Sequence, residues 1–187
     1  MPSVVSPFSI QVFIACQIAL ILSDNQGGIL AETTHLVRSE DWEISDGAQK
    51  CHGISQQDCE LFGLRADLMM KSYYAMASKA QTIVAHGSNF DKGMMEIETA
   101  YYKGERTAEE LKATIKPWYC TQENSKDICK IPPTDKMKKA GRYHHKTPSL
   151  AEAYHCLTGN HIEGAHDAMV DARACKDVFF ALKVLNS

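Results

Sequence analysis

The stretch TIVAHGSNFDKGMM, residues 82–95, is the clearest indicator of the fold in this sequence. Its apolar, β-branched start predicts a central strand, which a small polar turn and then a helix follow. Asp91 falls in the first turn of that helix. Active sites in sheets of this kind collect at the carboxyl ends of strands, so Asp91 is a candidate catalytic residue. The spacing of Ser88 and Asp91 is equally typical of a helix capping box, and both interpretations stay open.

The segment EGAHDAMVDARACKDVFFAL, residues 163–182, contains a second candidate site. His166 and Asp171 are five residues apart, so on one continuous helix their side chains point in different directions. They converge on one cleft only if His166 stands just before the helix and Asp171 projects from its second turn. In the alternative interpretation, Asp167 and Asp171 are exposed acids that complement the helix dipole, and His166 is a local cap.

The rest of the chain predicts a mixed α/β sheet flanked by helices. Residues 11–22 form an apolar run typical of a buried strand, and DNQGG (24–28) joins it to ILAETTHLV (29–37) as a β-hairpin. A polar surface connection over 38–55 and a helix over 56–80 follow. The later elements are a helix over about 90–102, a short helix over 107–116, a strand at 118–120, an irregular stretch over 121–146, and helices over 147–159 and 166–182. Antiparallel strands followed by a strand–helix alternation are typical of this fold class.

Composition indicates one ordinary globular domain over residues 1–187. The chain is 44% hydrophobic and has a formal net charge of −3, so no global basic field identifies a nucleic-acid binder. The run SIQVFIACQIALIL is too short to span a bilayer, which needs about 20 apolar residues, and no Lys or Arg precedes it as in a secretory signal. We therefore expect a cytoplasmic protein that does not contact a membrane.

The seven cysteines are odd in number and contain no Cys-x-x-Cys pair. This pattern favours reduced thiols in a cytosolic protein, several of them acting as small core residues. The alternative is a zinc site built from Cys120, Cys129 and the His144–His145 pair, although its spacing matches no standard zinc finger.

Three motifs, in order, resemble those of one family. HGSNFD (86–91) and HDAMVD (166–171) are similar to the second and third exonuclease motifs of the DnaQ-like DEDDh 3′→5′ exonucleases. HGIS (52–55) matches the His-Gly-Ile that follows the first hairpin of that family, and the resemblance runs from Cys16 onward. Residues 116–159 are especially similar to a phage and bacterial subgroup with a lysine- and proline-bearing insertion. The ordered set is far more specific than any single motif.

This resemblance implies an RNase H-like fold and the hydrolysis of nucleotides from DNA 3′ ends, as in polymerase proofreading. Asp91 and Asp171 would be metal-ligating carboxylates and His166 the general base, while His86 and Phe90 would contact nucleic acid. The two ions expected in the family, Mg²⁺ or Mn²⁺, lie about 3.5–4 Å apart and clamp the scissile phosphate. Carboxylate oxygens suit magnesium, and a histidine can take a proton from water near neutral pH. The implied partners are single-stranded DNA or DNA 3′ ends, with a DNA polymerase as a candidate.

One motif of the family has no counterpart in the sequence. The family carries Asp-x-Glu on its first, central strand, upstream of the run QIALILSD (17–24), but residues 1–16 contain no acidic residue. Glu32 lies on the wrong strand and has Leu30 two residues before it, so it does not replace the motif. We therefore expect a chain truncated at its N-terminus, with the first central strand missing or incomplete and its place partly filled by the first residues. Two-metal catalysis should be severely impaired.

A lysine- and proline-rich insertion over about residues 121–146 is the only strongly basic stretch. Its cations either follow a single-stranded backbone through phosphate contacts, with Tyr143 as a stacking surface, or are solvated loop charges. The candidates for nucleic-acid contact are Lys136, Lys138, Lys139 and Arg142. The predicted function is a 3′→5′ exonuclease of impaired activity. The alternative is a non-catalytic nucleic-acid-binding or subunit-docking remnant of the same family.

Overall fold

The computed structural model describes residues 6–13, 16–39, 42–101, 116–164 and 167–185 of the chain. Within these residues, the centre of the protein is a single sheet of five strands. The strands are β1 (Ser6–Phe13), β2 (Gln17–Ser23), β3 (Ile29–Leu36), β4 (Ala80–Ala85) and β5 (Trp118–Cys120). Their order across the sheet is β3-β2-β1-β4-β5. β2 pairs antiparallel with both of its neighbours, whereas the β1–β4 and β4–β5 pairs are parallel.

Helices flank the sheet on both faces. In the described part of the chain they are α1 (Asp46–His52), α2 (Gln56–Phe62), α3 (Ala66–Ala77), α4 (Ser88–Tyr101), α5 (Thr121–Cys129), α6 (Asp135–Lys139), α7 (Leu150–Thr158) and α8 (Ala168–Leu185). Capping boxes formed by Ser55 with Asp58 and by Ser149 with Glu152 begin α2 and α7. Gly159 ends α7 in the left-handed conformation, as predicted. None of the helices just named is long and apolar enough to cross a membrane.

The apolar run near the N-terminus forms two antiparallel strands, not one. Phe13 at the end of β1 pairs with Gln17 at the start of β2. One strand over the whole run would exceed the usual length of about 3–10 residues, and folding back pairs its backbone groups instead. β1 occupies the central position, so the expectation of a missing central strand is wrong, whereas the expectation that the first residues fill its place is confirmed. The hairpin of β2 and β3 and the mixed α/β sheet are confirmed.

Side chains of β2 alternate between two core layers. Every second residue packs on one face against α3, and these residues are Ile18, Leu20 and Leu22. On the other face, Ala19 packs against Ala168 and Ala172 of α8. Small side chains on both sides of this contact let α8 approach the sheet closely. The α3 layer is bulkier, with Met69, Met70, Tyr73 and Tyr74 buried in it.

The helix predicted over 56–80 is two helices, with a break at Gly63. A Cβ atom on residue 63 would lie 2.2 Å from the Cys59 carbonyl oxygen and 2.5 Å from the Arg38 backbone. This close approach lets Leu64 form a β-bridge with the residue that follows β3. Contact with a segment distant in sequence therefore overrides the local helical pattern.

Two stretches predicted to lack regular structure contain helices. α1 lies in the predicted surface connection, where the Ser45 hydroxyl accepts a hydrogen bond from the Ala48 N–H and caps the helix. α5 and α6 lie in the insertion, and the Thr134 hydroxyl caps α6 in the same way. The short helix predicted over 107–116 falls outside the described residues except for its last position.

Candidate functional site

The carboxyl ends of β1 and β4 meet at one edge of the sheet, because these strands are parallel neighbours. α4 starts at that edge, at Ser88, just after the end of β4. α8 starts there too, because the Ala168 N–H donates to the Gln17 side-chain oxygen at 3.3 Å and Gln17 pairs with the end of β1. The first turns of α4 and α8 therefore lie at the same edge, on opposite faces of the sheet.

Each of these first turns contains a buried aspartate. Asp91 in α4 is 4% exposed and Asp171 in α8 is 6% exposed. An ionised carboxylate is costly to bury unless hydrogen bonds, an ion pair or a metal ion stabilise it. The exposed residue Asp167 caps α8 instead, since its carboxylate accepts from the Met169 N–H at 2.9 Å and the Val170 N–H at 3.1 Å. The interpretation of Asp171 as an exposed first-turn acid is therefore wrong.

His166, the predicted general base, lies outside the described residues. α8 begins at Ala168, two positions further along the chain. Residue 166 and Asp171 can share a cleft only if the helix starts after residue 166. The start of α8 meets that condition, and the role of His166 stays a prediction.

His86, in the turn after β4, is held by hydrogen bonds at both ring nitrogens. Nε2 lies 3.1 Å from the Pro148 carbonyl oxygen and Nδ1 lies 3.0 Å from the Thr121 hydroxyl. Burial lowers the pKa of the His86 imidazole, although the hydrogen bond to Pro148 opposes this shift. Nε2–H is the donor in the bond to Pro148, because a carbonyl oxygen can only accept. These two hydrogen bonds connect the turn before Asp91 with Thr121, the first residue of α5, and with Pro148, which follows the insertion.

Cys120, the last residue of β5, is a feature that the sequence analysis did not predict. Burial raises the pKa of its thiol, but hydrogen bonds from neighbouring groups outweigh burial and lower the pKa overall. The donors are the backbone N–H groups of Glu123, Ser88 and Gly87 and the Ser88 hydroxyl. Polar groups from the starts of α4 and α5 thus converge on this sulfur. The only signal in the sequence is a cysteine placed between a strand and a helix.

Among the described residues, the buried carboxylates at this edge are those of Asp91 and Asp171. Proteins commonly hold Mg²⁺ through one or two carboxylates, while water and substrate phosphate fill the remaining positions, and Asp91 with Asp171 matches that donor set. No group of three or more His, Cys, Asp or Glu side chains in the described part could hold a metal ion. β1, with the sequence SPFSIQVF, contributes no acid. Glu32 lies on the edge strand β3, where it accepts a 2.7 Å hydrogen bond from Arg173.

Most of the aromatic and basic side chains predicted to contact nucleic acid are exposed. Phe90, next to Asp91, is 64% exposed and Tyr143 is 74% exposed, so both rings are open to stacking with bases. Lys138 pairs with Asp135 at 3.5 Å. Within the described residues, the other predicted contact residues make no ion pair and are exposed; they are Lys136, Lys139 and Arg142.

Cys129 and Cys156 form a disulfide between α5 and α7. The prediction of reduced thiols throughout is wrong for this pair, because the fold brings together two residues 27 positions apart. The zinc alternative is wrong within the described residues, since one of its ligands is in the disulfide and no three-ligand group exists there. The buried free cysteines Cys16, Cys59 and Cys175 are small core residues, as predicted.

Comparison with known families identifies one match. The exonuclease family model RNase_T matches residues 9–179, which is most of the chain. No curated protein matches the sequence.

Several solved structures share the fold, and those described here are of E. coli exonuclease I. The complex with a dT13 oligonucleotide is 14% identical, with a TM-score of 0.75, and the match covers 96% of this chain and 41% of that one. The complex with a dA16 oligonucleotide is 15% identical, with a TM-score of 0.71 and the same coverage. A zinc-bound complex with single-stranded DNA is 16% identical, with a TM-score of 0.67, covering 91% of this chain and 36% of that one. The predicted RNase H-like fold is thereby confirmed, and the chain spans about two fifths of the length of these relatives.

Proposed function

The chain belongs to the exonuclease family, and we propose that it removes nucleotides from the 3′ ends of single-stranded DNA at the edge where α4 and α8 begin. The observation that carries this proposal is the pair of buried carboxylates, Asp91 and Asp171, at that edge. The E. coli exonuclease I structures with bound oligonucleotides support the choice of single-stranded DNA. An editing role beside a DNA polymerase is part of the proposal and rests on the motif resemblance alone.

In the proposed reaction, Asp91 and Asp171 hold one divalent ion, Mg²⁺ or Mn²⁺. When bound, such an ion polarises the scissile phosphate and offsets the charge that develops on it. His166 takes a proton from the attacking water, and Phe90 stacks on the terminal base. His86 positions the turn that precedes Asp91, since both of its ring nitrogens are already engaged within the protein.

We propose that turnover is slow, because the donor set suits one ion and the family mechanism uses two. A lost metal ligand set removes several kcal/mol of transition-state stabilisation, and about 1.4 kcal/mol corresponds to a tenfold change in rate. The fold keeps the nucleic-acid surface whether or not the rate is high. The second candidate function, a nucleic-acid-binding module without catalysis, is favoured because no third metal ligand joins Asp91 and Asp171 among the residues that the structure describes.

An assay on 5′-labelled single-stranded DNA separates these functions. With Mn²⁺ or Mg²⁺ present, we expect slow shortening from the 3′ end that chelator abolishes and Asp171→Asn removes. Asp167→Asn is the matched control, because Asn can replace Asp as the cap of the same helix. Binding in chelator with no shortening under any condition would assign the chain to the binding module. Shortening that persists in Asp171→Asn would show that the proposed site is not the source of the activity.

A further inference from the structure

The disulfide between Cys129 and Cys156 closes a loop that contains nearly all of the basic insertion. Residues 130–155 carry six Lys or Arg residues against two carboxylates, Asp135 and Glu152, in a chain whose net charge is −3. The segment that this bond encloses therefore has a net positive charge in a chain whose net charge is negative. A surface of this kind suits the phosphate backbone of a single-stranded nucleic acid.

Within the enclosed segment, the part over residues 130–147 has few contacts that hold it in one conformation. Residues 130–147 include no buried residue, and α6 within them buries none of its side chains. Local contacts at the base are a 2.9 Å hydrogen bond from the Lys146 N–H to the Ile131 carbonyl and an ion pair between Lys146 and Glu152. An ordered segment that buries no side chain has few contacts to offset its lost conformational entropy. The disulfide supplies the missing constraint, because it fixes the two ends of the loop.

The disulfide is placed where small thiols and disulfides can reach it. Cys156 is exposed on α7, and Cys129 is half-buried at the end of α5. Exposed disulfides are typically the labile and regulatory ones, whereas buried structural disulfides resist reduction. A reducing compartment would open this bond and an oxidising one would close it.

We propose that the Cys129–Cys156 pair is a redox modification site that sets the affinity of the insertion for single-stranded nucleic acid, an inference that rests on the proposed function. A low-molecular-weight disulfide is the oxidant. One cysteine thiolate attacks that disulfide and releases one small thiol, and the second cysteine then attacks the mixed disulfide and releases another. The two protein thiols are oxidised to one S–S bond, and the small disulfide is reduced to two thiols.

The effect of this switch is on binding and not on the chemical step. The Pro148 carbonyl accepts hydrogen bonds from the His86 ring and from the Gln122 side chain at 3.1 Å each, so the end of the insertion stays attached to the turn after β4. Reduction therefore frees the lysine-bearing loop while the edge with Asp91 keeps its contacts. Ordering a free loop on binding costs conformational entropy, so the reduced protein should bind nucleic acid more weakly than the oxidised protein.

The test measures binding of a fluorescent oligo-dT strand in chelator, with the oxidised and the reduced protein. We expect roughly tenfold weaker binding after reduction. Cys129→Ser/Cys156→Ser should bind like the reduced protein in both conditions. Cys51→Ser is the matched control, because Cys51 is exposed and free, and it should behave like the unsubstituted chain. Tryptic cleavage within residues 130–146 should be faster after reduction, which reports on loop order without any nucleic acid.

Each result separates this inference from the proposed function, because binding is measured without catalysis. Equal affinity in the two redox states, with mass spectrometry confirming that the bond has formed and been reduced, overturns the inference even if metal-dependent cleavage is seen. Redox-dependent binding without any cleavage supports the inference and removes the exonuclease proposal. No binding in either state overturns the inference and the binding-module alternative, while the exonuclease proposal is decided by the metal-dependent cleavage assay.

Discussion

The two halves of the candidate edge, the α4–α8 half and the β1 half, differ in what their residues supply. The α4–α8 half has two buried aspartates, whereas β1, at the centre of the sheet, has no acidic residue. The elements of both halves are present in the fold. The difference shows that backbone pairing can hold a strand at the centre of a sheet whether or not the strand carries metal ligands.

The largest expected effect comes from giving β1 the missing acids. The register pairs position 11 with Ala19, whose side chain packs against α8, and position 13 with Gln17. Gln11→Asp/Phe13→Glu places an Asp-x-Glu at these positions. We expect the metal-dependent rate of 3′ shortening to rise by about 100-fold, or roughly 3 kcal/mol in activation free energy, because a second ion gains ligands.

The control for this substitution is Gln11→Asn/Phe13→Gln, which changes the same positions without adding charge. Its rate should stay at the level of the unsubstituted chain in the same gel assay. A faster rate in this control would contradict the proposal that β1 lacks metal ligands. An unchanged rate in the acidic variant, with circular dichroism showing an intact fold, would contradict it as well.

A smaller effect is expected from disturbing the contact that places Asp171. Ala19 is fully buried against α8, so Ala19→Leu should overpack the contact and lower the free energy of unfolding by about 1–3 kcal/mol. It should also lower activity, because α8 moves away from the sheet. Ala31→Leu on the exposed strand β3 is the control and should change stability by less than about 0.5 kcal/mol. Urea unfolding measures both variants, and equal effects would show that this contact is not close-packed.

Substitution of Asp167 should affect mainly stability, whereas substitution of Asp171 should affect mainly cleavage. Asp167→Ala removes the cap and should lower the free energy of unfolding by about 1 kcal/mol while metal-dependent cleavage persists. Asp171→Ala should remove cleavage, because it deletes a proposed ligand. Thermal unfolding and the gel assay together distinguish them. Loss of cleavage in both variants at matched stability would mean that the start of α8 acts as one unit.

The smallest expected effect is on the pH dependence of stability, through the hydrogen bonds of His86 with Thr121 and Pro148. The folded state lowers the pKa of His86 below its ordinary value of 6.5, so the unfolded chain binds a proton more readily. The stability that this histidine contributes is present above about pH 6.5 and is lost as pH falls towards the lowered pKa. The difference in Tm between the unsubstituted chain and His86→Gln should therefore shrink from pH 7.5 to pH 5.5. His144→Gln, on an exposed residue outside these hydrogen bonds, is the matched control.

Much of the α4–α8 half could be predicted from the sequence, because its signals are local. The strand–turn–helix at 82–95 and the helix that ends at Gly159 follow from apolar periodicity and capping residues. The burial of Asp171 could not be predicted, since Asp167 has the same local context and became the cap. Burial depends on the approach of α8 to Ala19, which is distant in sequence.

The remaining elements depended on contacts that no local pattern contains. The apolar run gave no turn signal between β1 and β2, and the break at Gly63 depends on the Arg38 backbone. The disulfide links residues 27 positions apart on two helices that pack together only in the fold. Pairings of this kind follow from tertiary packing, so the sequence alone left the cysteines as free thiols.

The most direct test of the account counts the Mn²⁺ ions that the chain binds with a 3′-phosphorothioate oligonucleotide, by electron paramagnetic resonance. We expect one ion for the unsubstituted chain, none at the same concentrations for Asp171→Asn, and two for Gln11→Asp/Phe13→Glu. Two ions in the unsubstituted chain would contradict the claim that the β1 half lacks its ligands. One ion retained in Asp171→Asn would contradict the claim that the α4–α8 half supplies the site.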